Sequence, residues 1–171
     1  MFGEMVPVTY SPQVISFETF YRTEYGPMVA LATAVGGNPG VGEDIAQEAL
    51  IRAHKHWERI CSYERPGTWL RRTTINLALN VRRGSRRQRV AIQRLGSRPA
   101  DPVEIVLDDP AVWQAVAALP ARQRAAVALH YLEDRSIDEI AGILECSPNT
   151  AKAHLHHGRQ ALASHLKENN Q

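Results

Sequence analysis

Two serines eleven residues apart, Ser136 and Ser147, constrain this chain more than any other feature. Each is placed to cap a helix. Ser136 is followed three residues on by Glu139, the spacing of a capping box, in which each residue's side chain accepts from the other's backbone N–H. Ser147 is followed by Pro148, at the first helical position, where a missing N–H costs nothing. Between the caps, Ile137, Ile140, Ala141 and Leu144 recur at i, i+3, i+4, i+7, one apolar stripe of a short helix. Beyond the second cap, Ala151, Leu155, Gly158, Leu162 and Leu166 share one face of a longer helix. Asn149, Lys152, Ala153, His156 and Gln160 fall on the opposite face. Two helices joined by so tight a connection form a helix-turn-helix. Small and polar side chains at the open end of the second helix suit the major groove of DNA.

The rest of the chain also has helical periodicity. Phe17, Phe20, Tyr21, Met28, Leu31, Ala32 and Val35 predict a helix over 17–35, stopped by Gly36-Gly37-Asn38-Pro39-Gly40. A second helix is expected from Val41 to Arg59, with Gly42, Ile45, Ala46, Ala49, Ala53 and Trp57 inward. A third starts near Thr68 and runs to Arg83 or beyond, with Leu70, Thr74, Leu77 and Val81 on one stripe. Ile75 and Leu79 lie on its far side, so it is expected to be covered on both sides there. Gly84 and Ser85 should loosen it. Residues 89–110 hold Gly96, Ser97, Pro99, Pro102 and Pro110, a linker composition. Helices follow from Ala111 to Leu119 and over 121–133, the latter with Ala125, Ala128, Leu129 and Leu132 inward. Strand-like alternation of useful length is lacking. The expected fold is all-α, with two small helical domains over 14–88 and 111–166 joined by a flexible linker over 89–110. A length of 171 residues with 44% hydrophobic content accommodates both cores.

Charge says what such a pair of domains would touch. The net charge of +2 conceals ten arginines between Arg65 and Arg98, half of the 20 basic residues, with no acid among them. Such a local excess is the footprint of a polyanion partner, or else a solvated basic helix face. No apolar run is long enough for a membrane span, and the first residues carry Glu4 and no basic residue before Arg22, unlike a signal peptide. A cytoplasmic protein without membrane insertion is expected. Cys61 and Cys146 lie far apart and form no CxxC pair, so they read as two reduced thiols. His154, His156 and His157 have no carboxylate or cysteine cluster beside them, and no metal site is expected.

Three segments resemble the bacterial sigma-70 family. Asp44, Gln47, Glu48, Arg52 and Ala53 resemble its DxxQExxxRA segment. Thr68-Trp69-Leu70-Arg71-Arg72 with Asn76 and Asn80 is similar to its WLxxIxxN helix. Leu119-Pro120, Arg124, Tyr131-Leu132-Glu133 and the helix-turn-helix resemble its fourth region. The resemblance covers about residues 16–165 and only regions two and four, the layout of the extracytoplasmic-function (ECF) type. The first helix, Trp57-Glu58-Arg59-Ile60 and the arginine-rich third helix are most similar to an actinobacterial SigE-like group. The resemblance implies a non-catalytic specificity subunit that binds core RNA polymerase and promoter DNA, with no cofactor or small-molecule substrate and with an anti-sigma factor as inhibitor. It places polymerase binding on Asp44, Gln47, Glu48 and Arg52. It places reading of the −10 element on Tyr63, Arg65, Trp69, Arg71, Arg72, Asn76, Asn80 and Arg83, and a basic groove with stacking rings suits single-stranded bases. Trp69 reads first as a core residue, since Trp in a helix is usually buried, and Asn76 and Asn80 could equally be internal hydrogen-bond partners. It places the −35 duplex on Asn149, Thr150, Lys152, Ala153, His154, His156, His157 and Arg159, with Lys152 and Arg159 as phosphate anchors. The second helix departs from the family's SxxTVKSRL: Ala153 replaces a serine, His154 stands where arginine is common, and Glu145 replaces a glycine in the turn.

Two other readings compete. Ser147, Thr150 and His154 also satisfy the SxxTxxxH of LuxR-like regulators, but those would carry a ligand or phospho-acceptor domain, and the N-terminal half shows no βα alternation. An enzyme would need a nucleophile–base pair, a metal cluster or a phosphate-cradling loop. The glycine run at 36–40 lacks the Lys-Ser/Thr of such a loop and reads as a helix-to-helix turn.

Overall fold

The computed structural model describes residues 15–37, 39–94 and 110–168. Eight helices and no strand make up this part: α1 (Phe17–Gly36), α2 (Pro39–Lys55), α3 (Trp57–Ile60), α4 (Pro66–Arg94), α5 (Pro110–Ala118), α6 (Ala121–Glu133), α7 (Ile137–Leu144) and α8 (Pro148–Glu168). The fold is all-α, as expected. Linker residues 95–109, with Asp101, Glu104, Asp108, Asp109 and Arg98, lie outside the described residues, as do residues 1–14, Asn38 and 169–171.

The first unit forms where α1 packs on α2 and both rest on α4. Ser16 caps α1 by accepting from the Thr19 N–H at 3.2 Å, and Gly37, at φ 83°, ends it by donating to the Thr33 carbonyl at 2.7 Å. Only glycine takes that backbone conformation without strain. Met28, Leu31, Leu50, Ile60 and Leu70 are wholly buried, each contributing about 1.5–3 kcal/mol by leaving water. Gly42 lets α2 lie close on α1, since a Cβ there would sit 2.1 Å from Thr33 Oγ1 and 3.0 Å from its backbone nitrogen.

The helix expected over Val41–Arg59 is instead two. It breaks at His56 and restarts as α3. The break returns Trp57 to the core, where its ring centroid lies 5.4 Å from that of Phe17 and 4.8 Å from that of Phe20. The third expected helix starts two residues early, because Pro66 serves as a first helical residue, and it passes Gly84 and Ser85 to reach Arg94. A glycine inside a helix costs only about 1 kcal/mol relative to alanine, too little to stop it. Residues 89–94, read as linker, are therefore helical. Ile75 is buried and Leu79 half-buried, so the middle of α4 is covered on both sides as anticipated, but Val81 is exposed.

In the second unit, α6 touches α8 and α7 on one side and α1 of the first unit on the other. Six consecutive residues, Arg124 to Leu129, are buried as a result. A helix covered on a single face would bury only every third or fourth. Gly158 permits the close approach of α8, since a Cβ there would meet Val127 Cγ2 at 2.7 Å. Leu132, expected inward, is 47% exposed: it lies on the solvent side of the last turn of α6, whose Glu133 side chain turns inward to Arg71.

Candidate nucleic-acid interface

The helix-turn-helix is built as its caps dictate. Ser136 Oγ accepts from the Glu139 N–H at 3.2 Å, and Glu139 Oε2 accepts from the Ser136 N–H at 3.0 Å. Hydrogen bonding from the Ser136 backbone, and then from Arg135, holds the Glu139 carboxyl below its ordinary range. Arg135 bridges Glu139 and Glu133, and these hydrogen bonds outweigh its burial and raise its guanidinium further. Ser147 Oγ accepts from the Thr150 N–H at 3.1 Å and starts α8. Between the two helices Glu145 adopts φ 53°, ψ 49°, the left-handed position that favours glycine. Its occupancy by Glu145 is the departure noted in the sequence.

Ala151, Leu155 and Gly158 turn inward on α8, with Leu162 and Leu166 half-buried. Asn149, Thr150, Lys152, Ala153, His156, His157 and Arg159 are all exposed. His154 is half-buried, and burial, then Arg122 and His157, push its imidazole below the ordinary range. An imidazole so disfavoured in its charged form does not replace the permanent charge of an arginine. Arg159 is exposed but held: it donates to the Tyr131 hydroxyl at 2.9 Å and to His130 Nε2 at 2.8 Å, 5.5 Å from the Tyr131 ring centre. His130 must then carry its proton on Nδ1, which donates to the Arg135 carbonyl.

The basic face of the first unit lies along α4 and the loop before it. Tyr63, Arg65, Asn76, Asn80 and Arg83 are exposed. Trp69 is half-buried and packs against the core, which favours its packing role. Arg71 is 5% exposed. It donates to Glu133 of α6, pairs with Glu24 of α1 at 2.9 Å and donates to the Gly67 carbonyl at 3.0 Å. Arg72 is half-buried and donates to the Gly142 carbonyl at 2.8 Å, with Glu145 at 3.0 Å. The structure thus brings together the open residues of α4 and separates Arg71 and Arg72 from them.

A third face lies on α2. Asp44, Gln47 and Arg52 are exposed, Glu48 is half-buried, and Arg52 Nε donates to Glu48 Oε1 at 2.7 Å. Ile51, 49% exposed, sits among them. The sequence reading passed over it, although an apolar residue four positions after Gln47 falls on the polar face and is a visible signal.

Two sequence profiles match this chain: "Sigma-70 region 2" over residues 20–88 and "Sigma-70, region 4" over residues 110–162. The chain is 32% identical to the ECF RNA polymerase sigma factor SigL of Mycobacterium tuberculosis, over 80% of its own length and 81% of the relative's. The chain is an ECF-type member of the sigma-70 family. It is also 27% identical to the RNA polymerase sigma-E factor of Streptomyces avermitilis, over 91% of this chain and 87% of that one. Among solved structures it is similar to the sigma factor RpoE of Bartonella quintana, determined with the anti-sigma factor NepR, with a TM-score of 0.68, 22% identity, and 88% and 96% of the two chains covered. As a sigma factor it is a promoter-specificity subunit of RNA polymerase and carries no catalytic chemistry of its own. Among the described residues, no helix is long and apolar enough to cross a membrane.

Proposed function

We propose that this sigma factor reads its promoter at two separate places. Region 2, over 14–88, uses Tyr63, Arg65, Trp69, Arg71, Arg72, Asn76, Asn80 and Arg83 on the melted −10 element. Region 4, over 111–166, lays α8 in the major groove of the −35 element, with Asn149, Thr150, Ala153, His154, His156 and His157 near base edges and Lys152 and Arg159 on phosphates. The span 89–110, into which α4 extends, tethers the two, so that holding one element raises the effective concentration of the other domain at its own. Asp44, Gln47, Glu48 and Arg52, with Ile51, form the docking face for core polymerase. An anti-sigma factor, of the kind found with the Bartonella structure, is the expected inhibitor, and the cytoplasm the expected location.

The observation that carries this reading is the exposed face of α8, capped at Ser147 and held on α6 by Gly158. Run-off transcription with core polymerase tests it. Specific transcripts should require this protein, and Glu48→Ala combined with Asp44→Ala should reduce them by weakening assembly. Transcripts that do not depend on the protein would overturn it.

A further inference from the structure

Arg22, Arg52, Arg71, Arg72 and Arg135 each pair with a carboxylate. Arg159 is held by two neutral acceptors instead, the Tyr131 hydroxyl at 2.9 Å and His130 Nε2 at 2.8 Å. Its charge is fixed in place but not cancelled. A guanidinium carries five N–H groups. Two are used here, so three have no partner among the described residues. The holders are fixed in turn. His130 Nδ1 donates to the Arg135 carbonyl at 3.2 Å, which ties the imidazole to the connection between α6 and α7. The His130 ring meets that of Tyr131 edge-on, with centroids 5.0 Å apart. Tyr131 itself is 61% exposed. Its hydroxyl oxygen accepts from Arg159, so its own proton must be given elsewhere, and no acceptor among the described residues takes it.

We infer that Tyr131 is a further phosphate contact on the −35 duplex, its hydroxyl and the Arg159 guanidinium closing on one phosphate, and that His130 is a positioning residue that presets Arg159 for it. This rests on the promoter reading above, which gave that phosphate to Arg159 alone. The site offers donors and one permanent positive charge. That suits a phosphate oxygen, which only accepts, rather than a base edge, which mixes donors and acceptors. It also lies on the right flank. Lys152, exposed as well, stands seven residues before Arg159, two turns along the same side of α8. A hydroxyl that accepts from a cation is a stronger donor through its own proton. A free arginine would lose rotamer freedom on reaching a phosphate, whereas here His130 and Tyr131 have already restricted it during folding. A clamp between α6 and α8 alone would need none of this openness, since Gly158 already seats α8 against Val127.

The test uses holoenzyme assembled from core polymerase and the full chain. Its DNA is a promoter mapped for this protein, with single phosphates of the −35 element replaced in turn by neutral methylphosphonate. Affinity is read by fluorescence anisotropy across a range of salt. Neutralising one phosphate should weaken the unaltered holoenzyme and cost Arg159→Ala nothing further. Arg159→Ala should also lower the salt slope by about 1. Tyr131→Phe keeps the ring and should bind about tenfold more weakly with an unchanged slope, and that loss should shrink once the same phosphate is neutral. His130→Ala should bind about threefold more weakly. His130→Gln, whose amide oxygen can accept from Arg159, should recover the unaltered affinity. Tyr131→Phe binding as tightly as the unaltered chain would overturn the phosphate contact. His130→Gln binding as weakly as His130→Ala would overturn the positioning role. If Lys152→Ala still weakens binding in either case, the promoter reading stands without this site. If neutralising no −35 phosphate weakened the unaltered holoenzyme, the site and the promoter reading beneath it would both fall.

Discussion

Gly158→Ala and Gly142→Ala should change stability in opposite directions, although both glycines lie inside helices of the same domain. Exchanging a helix-interior glycine for alanine gains about 1 kcal/mol. At Gly142 a Cβ meets nothing within 4 Å, so that gain should appear whole. At Gly158 the Cβ would stand 2.7 Å from Val127 Cγ2 and 3.4 Å from the Gln123 carbonyl oxygen. Val127 is buried on α6, and a valine in a helix has essentially one χ1 rotamer, so its methyl cannot swing aside. Forcing α6 and α8 apart costs about 1–3 kcal/mol, which leaves Gly158→Ala about 1 kcal/mol less stable. In thermal unfolding followed by circular dichroism, a change of about 1 kcal/mol moves the midpoint by about 2–4 °C in a chain of this size. Gly142→Ala should rise by that amount and Gly158→Ala should fall. Adding Val127→Ala to Gly158→Ala should cost less than Val127→Ala alone, a coupling between neighbours. A Gly158→Ala protein as stable as Gly142→Ala would refute the close packing of α8 on α6, and with it the way the recognition helix is held.

Three further outcomes follow from the caps and the open face of α8. Ser136→Ala should cost about 1 kcal/mol at neutral pH, measured by urea unfolding. The depressed Glu139 carboxyl contributes stability that is present above its unfolded value of about 4.3 and is lost as pH falls through its folded value, so Glu139→Gln should flatten the acid limb of the stability curve. Lys152→Ala should weaken −35 duplex binding across sequences and reduce the salt slope by about 1; unchanged affinity would show that Lys152 touches no phosphate.

What could be read in the sequence was what local chemistry decides. The Ser136–Glu139 box, the Ser147 cap and the inward face of α8 depend on residues within one or two turns, and each formed as its spacing required. The break at His56 was hidden, because it serves the distant rings of Phe17 and Phe20. The burial of Ala126 and Val127 was hidden likewise, since periodicity shows one apolar face and cannot show that a second unit covers the other. Arg71 and Arg72 illustrate the same limit at the site. Their residue type and register pointed to nucleic acid, while their neighbours Glu133 and Glu145 come from more than sixty positions away. Gly84 misled the reading of α4 in the other direction, by suggesting a stop where the helix tolerates the residue.

The central claim is that one chain reads two promoter elements with two helices. Photo-crosslinking in the assembled holoenzyme tests it most directly, with a crosslinking side chain at Asn80 on α4 or at Ala153 on α8, both exposed. On a promoter mapped for this protein, position 80 should mark the −10 element on a single strand and position 153 the −35 duplex, with neither mark appearing at the other site. Crosslinks from both positions to the same element, or from neither to promoter DNA, would contradict it.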